Sequence, residues 1–229
     1  MKKIRAPFFT VNPKSYLYGT ELLVMARKAD ALAIEHDIDI FFTAQHVDLR
    51  LIRENTERLI VTAQHVDPIT VGRGMGHILP EALIDAGVGA VFLNHAERPL
   101  PLSQLVSAVK RCKELGLYSI VCADSLLDAK AIAKLEPDVM VCEPTELIGT
   151  GKTADKEYIL STQAAIADIS PETLGLQAAG ISSAKDVEYV IRNGAHGTGA
   201  TSGIFAAVDP MATMVEMIEA VVKGRNLIS

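Results

Sequence analysis

Short apolar stretches alternate along the chain with longer segments of helical period. Seven of these stretches are almost wholly apolar, as expected for parallel strands that helices cover on one face and a core covers on the other. They are residues 6–11, 38–43, 59–63, 90–93, 119–122, 139–142 and 174–178. Residues 195–202 supply an eighth predicted strand before the last helical segment.

The first segments between these strands carry apolar residues at three- and four-residue spacings. Residues 22–33 place such side chains on a single stripe, which predicts a helix. In residues 102–116, Ser103 is predicted to cap the start of a helix and Gly116 to end it. The side chains predicted to face inward on that helix are Val106, Val109 and Leu115.

The last two helical segments have clear start signals. Ser183 and Asp186 stand at capping-box spacing, and Gly194 closes that segment. Asp209 is a predicted N-cap, and Pro210 at the first helical position fits because proline has no N–H to leave unpaired. Both signals place helices directly after the seventh and eighth strands.

Eight strand–helix units in 229 residues, roughly 29 residues each, fit a small closed (β/α)8 barrel, the TIM barrel. We expect one α/β domain over residues 1–229, because no linker, low-complexity segment or charge block divides the chain. An open doubly wound sheet is the alternative, since periodicity alone does not show closure.

Composition narrows the class of protein. Hydrophobic residues make up 49% of the chain and charged residues 22%, with a net charge of −6 and no basic stripe, so a nucleic-acid partner is not expected. No apolar run reaches membrane-spanning length and no cleavage-site pattern follows the start, which predicts a cytoplasmic protein without a membrane partner. Cys112, Cys122 and Cys142 lack metal-ligand spacing and are predicted to be buried, so neither a metal nor a disulfide is expected.

Polar side chains follow three of the predicted strands, at the ends that converge on one rim of a barrel. They are Asn12 and Lys14 after the first strand, Asn94, His95, Glu97 and Arg98 after the fourth, and Glu143 after the sixth. A carboxylate, an imidazole and an ammonium together provide a general base, a hydrogen-bond donor and a fixed positive charge. This combination suits removal of a proton next to a carbonyl group.

Three of these segments resemble the triosephosphate isomerase family. They are "NPK" (12–14), "NHAER" (94–98) and "EPTELIGTGK" (143–152), and their order and spacing also match. The similarity extends through residues 63–83 and 179–187, so it covers nearly the whole chain. The sequence is most similar to the short, archaeal-type members.

The resemblance implies an isomerase of glycolysis and gluconeogenesis that interconverts D-glyceraldehyde 3-phosphate and dihydroxyacetone phosphate without a cofactor. It implies that Glu143 is the base, His95 the electrophile and Lys14 the electrostatic stabiliser, with residues 144–152 as a closing lid. The implied substrate-binding residues are Asn12, Ile148, Gly149, Gly180, Ser182, Gly199, Ser202 and Gly203, and Asn94 and Glu97 support them. The long loop at residues 65–80 implies a homo-oligomer, either a dimer or a tetramer.

The eighth strand and the lid keep alternatives open. The sequence "GTGATS" (197–202) stands where relatives have bulky aliphatic residues, which indicates either extra room or a tightly packed strand. Extra room would favour a larger substrate such as a tetrulose phosphate. A barrel that binds a phosphorylated ligand without catalysis is a further alternative. The "GTGKT" at 149–153 resembles the end of a P-loop, but Glu146 occupies the position of its first glycine.

Overall fold

Eight parallel strands close into a barrel in the order β1 to β8. The computed structural model describes residues 3–142 and 155–227. The strands are β1 (Phe8–Val11), β2 (Ile40–Ala44), β3 (Ile60–Ala63), β4 (Ala90–Leu93), β5 (Tyr118–Ala123), β6 (Val139–Cys142), β7 (Leu174–Gln177) and β8 (Gly197–Ala200). Pairing of β1 with β8 completes the ring, so the predicted TIM barrel is confirmed and the open sheet was wrong.

Helices surround the barrel. They are α1 (Gly19–Glu35), α2 (Leu49–Glu54), α3 (Pro80–Asp85), α4 (Leu102–Leu115), α5 (Leu126–Ala133), α6 (Lys156–Ala167), α7 (Ala184–Arg192), α8 (Ser202–Phe205) and α9 (Pro210–Asn226), with a 3-10 turn at His46–Asp48. In the described part of the chain, none of these helices has the length and apolar character needed to cross a membrane.

Strand side chains divide between two hydrophobic clusters because successive residues point to opposite faces. Phe8, Phe41, Phe92 and Ile120 belong to a cluster built from strand residues, which fills the barrel interior. Their neighbours along the strands pack with helix residues in a larger outer cluster. Cys112, Cys122 and Cys142 are buried, as predicted.

The small residues of β8 are closely packed. A Cβ atom built on Gly197 would lie 2.3 Å from Cε2 and from Cζ of Phe8, so the aromatic ring already fills that space. A Cβ atom on Gly199 would lie 2.6 Å from the carbonyl oxygen of Thr10. Of the two alternatives left open by the sequence, the structure therefore favours the tightly packed strand over extra room at both positions.

Most of the predicted helix signals are confirmed, but two on α4 were wrong. The Ser183 and Asp209 side chains accept hydrogen bonds from the N–H groups of Asp186 and Ala212, and Gly116 ends α4 in a left-handed conformation. Ser103 is not an N-cap.

The error on α4 has a simple geometric cause. The helix begins at Leu102, one residue after Pro101, so Ser103 already lies in its first turn. The buried stripe runs through Leu105, Ala108, Val109 and Cys112. This phase leaves Val106 on the solvent side, 42% exposed, instead of inward as predicted.

A buried carboxylate joins α1 to the turn before β3. Asp30 is 8% exposed, and its oxygens accept hydrogen bonds from the N–H groups of Glu57, Arg58 and Leu59 at 3.0, 2.7 and 2.9 Å. Since these amides lie 27 to 29 residues from Asp30, one side chain fixes a long-range connection at the amino-terminal end of the barrel.

Candidate active site

A cleft of about 330 Å³ opens at the carboxyl ends of the strands. The structure brings most of the predicted site residues into its lining: Asn12, Lys14, His95, Glu97, Gly180, Ser182, Gly199, Ser202 and Gly203. These residues come from β8 itself, from the short helix α8 that follows it, and from the loops after β1, β4 and β7. Carboxyl-end loops are where TIM-barrel enzymes place their chemistry.

Lys14 reaches the cleft from an uncommon backbone conformation. Its φ of 45° is positive, which non-glycine residues rarely adopt. Asn12 Oδ1 accepts a hydrogen bond from the Lys14 N–H at 3.0 Å, and the Lys14 ammonium forms an ion pair with the Glu97 carboxylate. That ion pair is the main reason why the pKa of Glu97 is lowered.

His95 is held in one tautomer by the backbone of its own loop. Its Nδ1 accepts a hydrogen bond from the Glu97 N–H at 3.1 Å, so the proton of the neutral ring lies on Nε2. Burial lowers the pKa of His95, the Lys14 charge lowers it further, and Glu97 and Asp124 partly oppose this shift. The ring is therefore a neutral hydrogen-bond donor at neutral pH.

Asn94 holds the loop that carries His95. It too has a positive φ, 56°. Its side-chain NH2 group donates to the Cys122 carbonyl at 3.1 Å, and its Oδ1 accepts from the Leu100 N–H at 3.0 Å. These bonds tie the loop after β4 to the end of β5, which fits the supporting role expected of Asn94.

The loops after β7 and β8 meet on the opposite side of the cleft. A Cβ atom on Gly203 would lie 2.4 Å from the Ile181 carbonyl oxygen, so this approach requires glycine. The Ser182 N–H and Oγ both donate to Asp186 Oδ2 at 3.0 Å. The Ser182 amide is therefore occupied by a carboxylate in the first turn of α7.

The expected base and lid lie outside the described residues. They comprise Glu143 and residues 144–152, with Ile148 and Gly149 among them. Strand β6 ends at Cys142, which directly precedes Glu143 in the sequence, and Val141 lines the cleft.

A second cleft, of about 260 Å³, shares Lys14, His95 and Glu97 with the first. Its lining includes Gln45 and Gln64, which are not among the site residues predicted from the sequence. Both belong to a six-residue sequence, "TAQHVD", that occurs at 43–48 and again at 62–67. This repeated sequence is the signal by which Gln45 and Gln64 could have been found from the sequence.

The second copy of that sequence also fixes the base of the long loop after β3. His65 Nε2 lies 3.1 Å from Asp67 Oδ1, and Asp67 Oδ2 accepts from the Ile78 N–H at 2.6 Å. Burial lowers the pKa of His65, and the hydrogen bond with Asp67 counters part of the shift.

Comparison with known proteins agrees with this geometry. A family model described as triosephosphate isomerase matches residues 7–221. The chain belongs to the triosephosphate isomerase family. It is 37% identical to the triosephosphate isomerase of Methanocaldococcus jannaschii over 214 residues, which cover 91% of this chain and 97% of that protein.

Two further triosephosphate isomerases show the same extent of similarity. The enzyme of Methanopyrus kandleri is 36% identical over 221 residues, covering 94% of this chain and 98% of that protein. The enzyme of Methanothermus fervidus is 34% identical over 217 residues, covering 93% and 97%. The resemblance to archaeal members of the triosephosphate isomerase family is thus confirmed.

Proposed function

We propose that this chain interconverts D-glyceraldehyde 3-phosphate and dihydroxyacetone phosphate through an enediolate. Family membership supports the reaction. The observation that supports this cleft as its site is that Lys14 and His95 both line it. An ammonium and a neutral Nε2–H donor line one cleft, where they can stabilise a negative oxygen without a metal ion.

The reaction moves one proton between adjacent carbons and a second proton between their oxygens. The Glu143 carboxylate removes the carbon-bound proton next to the substrate carbonyl and returns it to the adjacent carbon, while the hydroxyl proton passes to the former carbonyl oxygen, so no atom is gained or lost overall. The His95 Nε2–H donates hydrogen bonds to the substrate oxygens, and the positive charge of Lys14 stabilises the negative charges of the enediolate and the phosphate. A neutral histidine beside a carboxylate base is already known for this family.

The phosphate group is proposed to bind the backbone N–H groups of the β7 and β8 loops. Gly180, Ser202 and Gly203 lie on the cleft where these loops meet, and barrels commonly bind phosphate there. Gly199 and the Ser182 side chain line the same region. Residues 144–152 would close over the bound substrate, with Ile148 and Gly149 contacting it, and would exclude water from the enediolate.

Replacement of Glu143 by glutamine tests the assignment of the base. We expect turnover to fall by about 10²–10⁴-fold because the variant keeps the side-chain shape but cannot accept the proton. A coupled steady-state assay measures turnover, and competitive inhibition by inorganic phosphate shows whether the phosphate site is intact. Glu157→Gln removes the same charge from an exposed position in the first turn of α6 and serves as the control. Turnover within a few-fold of the parent protein in Glu143→Gln would remove Glu143 from this role.

Close packing around β8 favours a triose over a larger sugar. Gly199, the glycine of β8 that lines the cleft, already packs against the Thr10 backbone, since a Cβ atom there would lie 2.6 Å from the Thr10 carbonyl oxygen. The same assay with a tetrulose phosphate should therefore show a much lower kcat/KM. Faster turnover of the tetrulose phosphate would make that sugar the substrate and leave the proposed mechanism unchanged. No turnover of either sugar phosphate would favour a protein that binds its ligand without catalysis.

We infer that the chain forms a homo-oligomer through the loops after β1, β2 and β3. Large apolar side chains are exposed in these loops, with Val47 at 88%, Val71 at 74% and Met75 at 101% exposure. Exposed apolar groups gathered on neighbouring loops mark a protein interface. Sedimentation should show a dimer or a tetramer, and a monomer at every concentration would contradict the inference.

A further inference from the structure

The repeated "TAQHVD" sequence places two glutamines on one carbonyl group. Gln64 Nε2 donates to the Lys14 carbonyl oxygen at 2.7 Å, and Gln45 Nε2 donates to the same oxygen at 3.1 Å. The Gln45 amide also lies 2.9 Å from Ser15 Oγ. Two donors use both lone pairs of the Lys14 carbonyl.

The same turn that carries Gln45 also holds the far end of the loop after β1. Asp48 Oδ2 accepts a hydrogen bond from the Gly19 N–H at 2.9 Å, where α1 begins. Asp48 is buried. The first copy of the repeat therefore binds this loop at Lys14, at Ser15 and at Gly19.

Lys14 needs such restraint more than an ordinary rim residue does. A lysine at φ 45° is strained, and such conformations persist only where the surrounding structure fixes them. Asn12 binds the Lys14 N–H, and the two glutamines bind its carbonyl, so both peptide groups that flank the Lys14 Cα are fixed. The direction of its side chain follows from those two peptides.

We propose that Gln45 is a positioning residue that, with Gln64, holds the strained Lys14 backbone so that the ammonium points into the substrate cleft. The role rests on the proposed isomerase function. Gln45 lines the second cleft, so it acts through Lys14 and is not a catalytic residue. Loss of its bond leaves one lone pair of the Lys14 carbonyl unfilled and lets the peptide after Lys14 rotate.

The test replaces Gln45 by methionine, which keeps the length of the side chain and removes the donor. We expect kcat/KM to fall by about three- to tenfold, the factor that corresponds to one neutral hydrogen bond. Because the Lys14 charge attracts phosphate, both KM and the inhibition constant of inorganic phosphate should rise. The double variant with Gln64→Met should lose more activity than either single variant.

Gln163→Met is the matched control. Gln163 Nε2 also donates to a backbone carbonyl at 3.1 Å, that of Gly175, near the start of β7 and away from the rim. The Gln163→Met variant should have a lower melting temperature and unchanged values of KM and of the phosphate inhibition constant. If Gln45→Met does not fold, Gln64→Met gives the same comparison, because it removes the other donor to the Lys14 carbonyl and adds no charge.

The outcomes separate this inference from the proposed function. Unchanged KM and phosphate inhibition in the Gln45 variant would overturn the inference, whether kcat is kept or falls through loss of folded enzyme. An inactive parent protein would overturn the isomerase function itself. A rise in both constants, absent from the Gln163 variant, would support the role of Gln45.

Discussion

Replacement of Gly197 by alanine should destabilise the barrel through a clash with Phe8. The new Cβ atom would lie 2.3 Å from two atoms of the ring, well inside the roughly 3.5–4.0 Å at which carbon atoms pack. Phe8 is fully buried and packs edge-on against Phe41, with ring centroids 5.3 Å apart. The ring therefore has no free space into which it can move.

The size of the effect follows from overpacking of a full core. An added methyl group in such a position costs about 1–3 kcal/mol of unfolding free energy. For a chain of this length, each kcal/mol lowers Tm by about 2–4 °C. We therefore expect Gly197→Ala to lower Tm by roughly 2–12 °C, with kcat/KM nearly unchanged at temperatures where the protein stays folded.

A double-mutant cycle identifies the cause. Phe8→Ala alone should cost about 3–5 kcal/mol because it leaves a cavity. The added methyl group at residue 197 partly fills that cavity, so the double variant should lose less than the sum of the two single variants. Gly199→Ala is the control, since its Cβ atom meets the Thr10 backbone oxygen, which Phe8→Ala does not move.

Unfolding in urea, followed by circular dichroism, measures the unfolding free energies of the parent protein, the three single variants and the two double variants. A coupling of about 0.5–3 kcal/mol between positions 8 and 197 is expected, with additive effects between positions 8 and 199. Additivity at both pairs, or an unchanged Tm for Gly197→Ala, would refute the packing argument. The interior beside Phe8 would then have room for a methyl group on residue 197.

Three further predictions follow from buried groups and exposed loops. Asp30→Ala should lose roughly 2–4 kcal/mol of unfolding free energy in urea because three backbone N–H groups lose a carboxylate partner, and a loss below 1 kcal/mol would contradict this. Burial lowers the pKa of His65, His95 and His196, so the unfolded chain binds protons near pH 6.5 when the folded chain does not. Stability should therefore fall as pH drops below 6.5, and equal urea midpoints at pH 5.5 and 7.5 would show that this linkage is absent. Met75→Glu should shift sedimentation toward smaller species, and an unchanged distribution would place the interface elsewhere.

The strands could be predicted from the sequence because each is short, apolar and followed by polar residues. The observed β4 and β6 have the predicted bounds, and the others differ by one or a few residues at their ends. The number of units favoured a closed barrel, and the pairing of β1 with β8 shows the closure itself. The start of α4 did not, because Pro101 sets it one residue before the serine that resembled a cap.

The candidate catalytic residues could be recognised in the sequence by their residue types, but the residues that position them could not. His95 and Lys14 stood out because each lies in the short polar segment that follows a strand. The bonds from Gln45 and Gln64 to Lys14 join residues 31 and 50 positions apart, and no local pattern reveals such a distance. The positive φ of Lys14 is likewise set by tertiary contacts, since lysine has no preference for that conformation.

Glu97 links the two halves of the proposed chemistry through different atoms. Its backbone N–H fixes His95 with the proton on Nε2, and its carboxylate pairs with the Lys14 ammonium. The Glu97 carboxylate partly cancels the effect of the Lys14 charge on the pKa of His95. The hydrogen bond from the Glu97 N–H to His95 does not involve the Glu97 side chain. A change of the Glu97 side chain should therefore disturb Lys14 and leave the His95 tautomer intact. The sequence pattern places a carboxylate two residues after the histidine, and the structure shows why the backbone and the side chain of that residue serve separate purposes.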